Sequence, residues 1–185
     1  MKKSIFFLFT LAGLSGSVQA QRLLNATSTE VKFFSKAPLE DIEASSKQVQ
    51  SLINLDTKDV VVKIPIKSFT FHNGLMQEHF NENYMESDKY PHGIFKGKIT
   101  EDIDLSKDGS YPVTAVGKIN IHGVEKDKTI KGKATVVQGK LTLDANFDVL
   151  LADHKIEIPT MVFQKIAEKI AVTAKFQYQL MDKKQ

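Results

Sequence analysis

The sequence predicts an all-β protein of about eight antiparallel strands with one short helix, and three observations carry that expectation. Period-two alternation recurs along nearly the whole chain, whereas helical periodicity is confined to one segment. Glycine turn signals separate the alternating runs. The connections from Val113 onward are too short for parallel crossovers, which need a dozen or more residues.

The elements follow in order. Val31 and Phe33 alternate with Lys32 and Phe34, and Val49, Ser51, Ile53 and Leu55 alternate with Gln50, Leu52 and Asn54. Val60, Val62, Ile64 and Ile66 oppose Val61, Lys63 and Pro65, and Phe69 and Phe71 follow. Phe95, Gly97 and Ile99 form the next apolar face, then Val113, Ala115, Gly117, Ile119 and Ile121. Ile130 to Val137, Leu141 to Leu150 and Ile170 to Leu180 repeat the pattern. Asp108-Gly109, His122-Gly123 and Gln138-Gly139 each supply a glycine where a tight connection needs positive φ. Eight antiparallel strands without a long helix leave a sandwich or a closed barrel, and alternation alone does not choose. The exception is Leu75 to Tyr84, where Leu75, Met76, His79, Phe80 and Tyr84 share one helical face. That short amphipathic helix is placed to cover one end of a barrel.

Composition bounds the chemistry. The chain has 185 residues, 42% hydrophobic and 25% charged, which fits one globular domain and excludes a disordered chain. Residues 1–20 read as a secretory signal peptide: basic Lys2-Lys3, an apolar run from Ile5 to Leu14, and a small-residue cleavage pattern at Val18-x-Ala20. The apolar run is too short for the roughly 20 residues that span a bilayer. Cleavage after Ala20 leaves a single domain, 21–185, expected in the periplasm or outside the cell. It also removes Lys2 and Lys3, so the +3 of the whole chain becomes +1. The sequence pI of about 8.9 therefore overstates the basic character. A near-neutral surface gives no electrostatic reason to bind nucleic acid. Cysteine is absent, so there is no disulfide, thiolate metal site, cysteine nucleophile or lipoprotein anchor.

No catalytic constellation stands out. The five histidines, His72, His79, His92, His122 and His154, lack metal-pair spacing, and no G-x-S-x-G elbow occurs. Nothing calls for a metal or a cofactor. His79 is expected half-buried where the helix meets the barrel, with the other histidines in turns. An enzyme using His79 with Glu78 or Glu82 is the remaining catalytic alternative. The densest basic run, Lys126, Lys128, Lys131 and Lys133, reads as a solvent face or a blunted sheet edge. The apolar residues say more. Outside the signal peptide nine phenylalanines, with Met76, Met85 and Met161, supply large adaptable surface for a filled core or a ligand cavity.

Two blocks carry a family resemblance. Phe69-Thr70-Phe71, Leu75 through Pro91 with its Ser87-Asp88-Lys89-Tyr90-Pro91 loop, and Phe95-Lys96-Gly97 resemble the central block of YceI-like proteins. Val116 through Lys126 resembles that family's Gly-Val hairpin. The resemblance spans about Asn25 to Leu180. It implies a lipocalin-like antiparallel β-barrel with a helix at one end, exported, non-enzymatic, and holding an apolar chain such as a polyisoprenoid or isoprenoid quinone. Strand parity and closeness to the helix then nominate Phe71, Met76, Phe80, Phe95, Ile119, Ile121, Phe147, Met161 and Phe163 as tunnel wall, with His79 at the mouth for a headgroup. The first strands look compact, which fits a shallower tunnel or none. The rival reading is a filled barrel acting as a structural or stress-related interaction module. A homodimer is compatible with the sequence and not required by it.

Overall fold

The computed structural model describes residues 22–159 and 166–180. Ten strand segments lie in it: β1 (Leu23–Lys36), β2 (Asp41–Ser46), β3 (Gln50–Asn54), β4 (Asp59–Pro65), β5 (Thr70–Phe71), β6 (His92–Ile99), β7 (Gly109–Ile121), β8 (Val124–Val137), β9 (Lys140–Leu150) and β10 (Lys169–Gln179). All pairings are antiparallel, and β10 pairs back to β1, which closes the sheet. β1 pairs β2 with its last half and β3 with its first residues, while β4 pairs β3 and β5 pairs β2. β2 and β3 thus occupy one position in the ring, and β4 and β5 another. The result is a closed eight-stranded barrel, which decides between the two architectures the alternation allowed.

The strands form where the alternation puts them, with two differences. β1 is 14 residues long rather than compact, because its polar first half, Leu23 to Glu30, has partners on β3 and β10 that no local pattern reveals. Asp108-Gly109 ends a loop from Thr100 to Asp108 instead of making a tight turn. The other two glycine turns are two-residue hairpins with both residues at positive φ: His122 at 52° and Gly123 at 73°, Gln138 at 48° and Gly139 at 74°. That is the geometry matching the twist of the flanking strands.

The helix, α1 (Gly74–His79), runs on into one π-helical turn, Phe80–Tyr84. Short 3-10 turns follow β4 (Ile66–Ser68) and β9 (Leu151–His154). The β8–β9 ladder begins only at Gly132–Ala145, so the lysines at 126, 128 and 131 lie on a stretch of β8 without a β9 partner. There Lys128 Nζ donates to the Asp148 carbonyl oxygen at 2.5 Å and lies 5.7 Å from the centre of the Phe147 ring. Charge at an unpaired strand segment discourages pairing with another chain. Among the described residues no helix is long and apolar enough to cross a membrane.

Candidate functional site: a hollow end beneath the helix

Inward-facing side chains alternate along every strand, and their sizes divide the barrel. At the end away from the helix Ile53, Leu105, Val136, Leu141 and Tyr178 are almost completely buried. Tyr178 on β10 and Ser51 on β3, the strands flanking the first half of β1, share a buried 2.5 Å hydrogen bond. The apolar surroundings push the Tyr178 phenol up to about 12. This end is solid.

The helix end is hollow. A cavity of about 520 Å³ lies beneath α1, within the size range of small-molecule sites. Its origin is visible in the cross-strand register. Gly132, Ala145 and Ala174 are direct neighbours on β8, β9 and β10, and all three face the cavity. Three adjacent inward positions with almost no side chain leave space that the larger residues around them do not reach.

Most sequence-nominated wall residues come together here. Phe71, Met76, Phe80, Phe95, Ile119, Ile121 and Phe147 line the cavity, and His79 stands at its rim. His79 is exposed rather than half-buried, because the short helix lies across the barrel end and turns that side chain towards solvent. Met161 and Phe163 lie outside the described residues. Phe33 and Phe69 are lining residues that sequence reasoning missed. Their inward parity was readable, but their contact with a helix more than forty residues away in the case of Phe33 was not.

The helix is held over the cavity from both ends. At its start, Asn73 Oδ1 accepts from the backbone N–H groups of Leu75 (2.9 Å) and Met76 (3.4 Å), which caps the helix. Gln77 Oε1 accepts from the Phe71 N–H at 3.3 Å and ties α1 to β5. Beneath, Phe80 packs on Phe33, Phe69 and Phe71 with ring centres 5.0–5.8 Å apart. Such tilted and offset ring contacts add about 0.5–1.5 kcal/mol each beyond burial.

Past the π turn a polar latch takes over. Glu86, at φ 41°, approaches His122 Nε2 to 2.8 Å, and the Tyr90 ring stands edge-on to the imidazole with centres 4.5 Å apart. His122 Nδ1 donates to the His154 carbonyl oxygen (3.2 Å), and His154 Nδ1 donates to that of Val124 (3.1 Å). Burial holds His154 below its ordinary 6.5. Four of the five histidine positions differ in role: His122 and His154 join loops, His92 opens β6 instead of lying in a turn, and His79 edges the cavity.

Chemically the hollow is a hydrocarbon container. Its walls are mostly aliphatic and aromatic; of the polar lining residues, Glu40, Asn73 and His79 belong to the loop and helix at the mouth, and Ser35 and Asp144 lie on β1 and β9. A closed antiparallel barrel with an apolar interior space under a short helix is a lipocalin-like barrel. The chain belongs to the YceI-like family, since the model of the YceI-like domain matches residues 23–178. No curated protein matches the sequence. Solved structures share the fold at low identity. A polyisoprenoid binding domain from Saccharophagus degradans, implicated in plant cell wall breakdown, superposes with a TM-score of 0.75 at 12% identity, over 88% of this chain and 100% of that one. Burkholderia cenocepacia BcnA gives 0.68 at 16% identity, over 80% and 95%. The Campylobacter jejuni YceI protein gives 0.64 at 18% identity, over 96% and 100%.

Proposed function

We propose that this protein is an exported, non-enzymatic carrier that holds one apolar chain, a polyisoprenoid, an isoprenoid quinone or a similar lipid, inside the barrel. The observation that carries this reading is the apolar hollow under α1, which a filled structural barrel would not have. A prenyl tail asks for no hydrogen-bond partner, so hydrocarbon wall is sufficient chemistry. Phe71, Met76, Phe80, Phe95, Ile119, Ile121 and Phe147 form that wall in this reading, and His79 meets the headgroup at the mouth. The fold shared with a polyisoprenoid binding domain supports the ligand class. The sequence features of residues 1–20 support export. Burying a few hundred Å² of lipid at about 25 cal/mol per Å² contributes several kcal/mol before association costs.

The test is native mass spectrometry of the protein purified from a bacterial periplasm, followed by organic extraction and lipid analysis. The expected result is a prenyl chain or quinone close to one per protomer. A clean apo mass that isoprenoid quinones leave unchanged would overturn the carrier reading and return attention to the outer surface.

A further inference from the structure

We infer that the solid end of the barrel is a floor that sets how long a tail the cavity accepts, with the tail entering first and the polar head left at the helix end. The inference rests on the carrier reading and adds a length limit to it.

The register shows where the floor lies. Val113, Gly132, Ala145, Ala174 and Val31 are successive cross-strand neighbours from β7 round to β1, and all face the cavity. One step further from the helix the neighbours are Ala134, Leu143 and Phe176. Leu143 and Phe176 still bound the cavity, while Ala134 has no exposed surface. One more step brings Val136, Leu141 and Tyr178, none of which touches the cavity. At that level the Tyr178 hydroxyl reaches past β1 to Ser51, a buried polar contact within the floor. The hollow therefore ends blind within two residues on three adjacent strands. On β10 it extends from Ile170 to Phe176, roughly 15 Å along the barrel axis for the usual strand rise and tilt.

A blind apolar cavity cannot be threaded. Each added tail carbon gains wall contact until the tail reaches Phe176 and Leu143, and further carbons remain outside. Polar groups at the floor are already paired, since Tyr178 and Ser51 satisfy each other, so a headgroup finds no partner there. At the mouth it meets Glu40, Asn73 and His79.

The experiment measures the affinity of the intact protein for geraniol, farnesol, geranylgeraniol and solanesol in a fixed detergent, with Ala174→Phe and Ala145→Leu alongside. In the wild-type protein affinity should rise by about tenfold or more from geraniol to geranylgeraniol and change less than about twofold from there to solanesol. Both variants add bulk into the hollow and raise the floor, so geranylgeraniol should weaken about tenfold while geraniol stays within about twofold. If one variant does not fold, the other carries the comparison. A steady gain through to solanesol overturns the floor. So does an equal weakening of every alcohol in a variant that melts like the wild type. Failure to bind any of the four takes down the carrier reading itself.

Discussion

The two ends of this barrel are built from the same eight strands and the same inward alternation, yet one is solid and the other hollow. The difference lies in side-chain volume at matched positions. Val136, Leu141 and Tyr178 fill the lumen at one level, whereas Gly132, Ala145 and Ala174 leave it open two steps away on the same three strands. Interiors packed to crystal density tolerate few voids, so a cavity of this size lowers stability locally and is supported from elsewhere. The solid end and the Phe33–Phe69–Phe71–Phe80 cluster give that support. Stability and binding capacity are thus separated along one axis.

The sharpest way to break the comparison uses neighbours on β9. Leu141 and Leu143 point inward from the same strand, one into the solid end and one onto the cavity wall. Leu141→Ala should cost about 3–4 kcal/mol, because it leaves a void among packed atoms. Leu143→Ala should cost about 1–2 kcal/mol, since one side of that residue already faces space. Urea unfolding of both variants measures the difference. Equal costs would mean that the two ends are packed alike.

Tyr178 sharpens the same contrast through pH. Its phenol is raised from 10.0 to about 12 by burial. The folded state therefore keeps a proton that the unfolded chain releases, so stability is complete below pH 10 and is lost as pH rises towards 12. The loss is on the order of 3 kcal/mol by linkage. Tyr178→Phe should remove that alkaline decline while costing about 1–2 kcal/mol at neutral pH, because the buried Ser51 hydroxyl loses its partner. Denaturant midpoints across pH 8–12 for both proteins provide the check. An unchanged alkaline decline in the variant would assign it to another group.

Filling the hollow end should affect binding and spare folding. Phe147→Trp adds bulk at the cavity wall beneath Lys128 and should lower lipid affinity about tenfold, with a melting temperature within a few degrees of wild type. The chain has no native tryptophan, so the new indole also reports on the bound lipid by fluorescence. Wild-type affinity would remove Phe147 from the binding wall.

Much of this architecture was legible in the sequence, and the reasons for the exceptions are physical. Alternation exposed the inward faces of β4, β6, β7, β8, β9 and β10, and the glycines at 123 and 139 marked the hairpins. The first half of β1 was not readable, since Ser28, Thr29 and Glu30 form a strand through partners distant in sequence. Seven wall residues could be nominated because aromatic and aliphatic side chains near the helix signal apolar surface directly. The hollow itself could not, because small residues create space only when register places them side by side, and register is a property of paired strands. Gly132, Ala145 and Ala174 are unremarkable one at a time. Export and the ligand remain proposals that the sequence features and the fold support.

The smallest expected effect concerns the latch that anchors the loop after the helix. His154 is buried in the 3-10 turn after β9, where desolvation disfavours its charged form and the Val124 carbonyl, Asp153 and Lys126 act as secondary influences. Its proton affinity is lower folded than unfolded, so its neutral form supports the fold above pH 6.5. That support is lost as pH falls below 6.5 towards the lowered folded value. At the Tyr178 end the acid-sensitive groups are carboxylates held below their ordinary values, Glu101 and Asp104 among them, which stay charged at pH 5, so acid should loosen the two ends unequally. Hydrogen exchange at pH 7 and pH 5, corrected for intrinsic rates, should show faster exchange at Ile121 to Val124 and Leu151 to Ile156, with Leu141 and Tyr178 unchanged. His154→Gln keeps a donor that can reach Val124 but does not titrate, and should abolish the difference. Acid-enhanced exchange spread evenly round the barrel, or persisting in that variant, would show that the helix end is not held independently of the solid one.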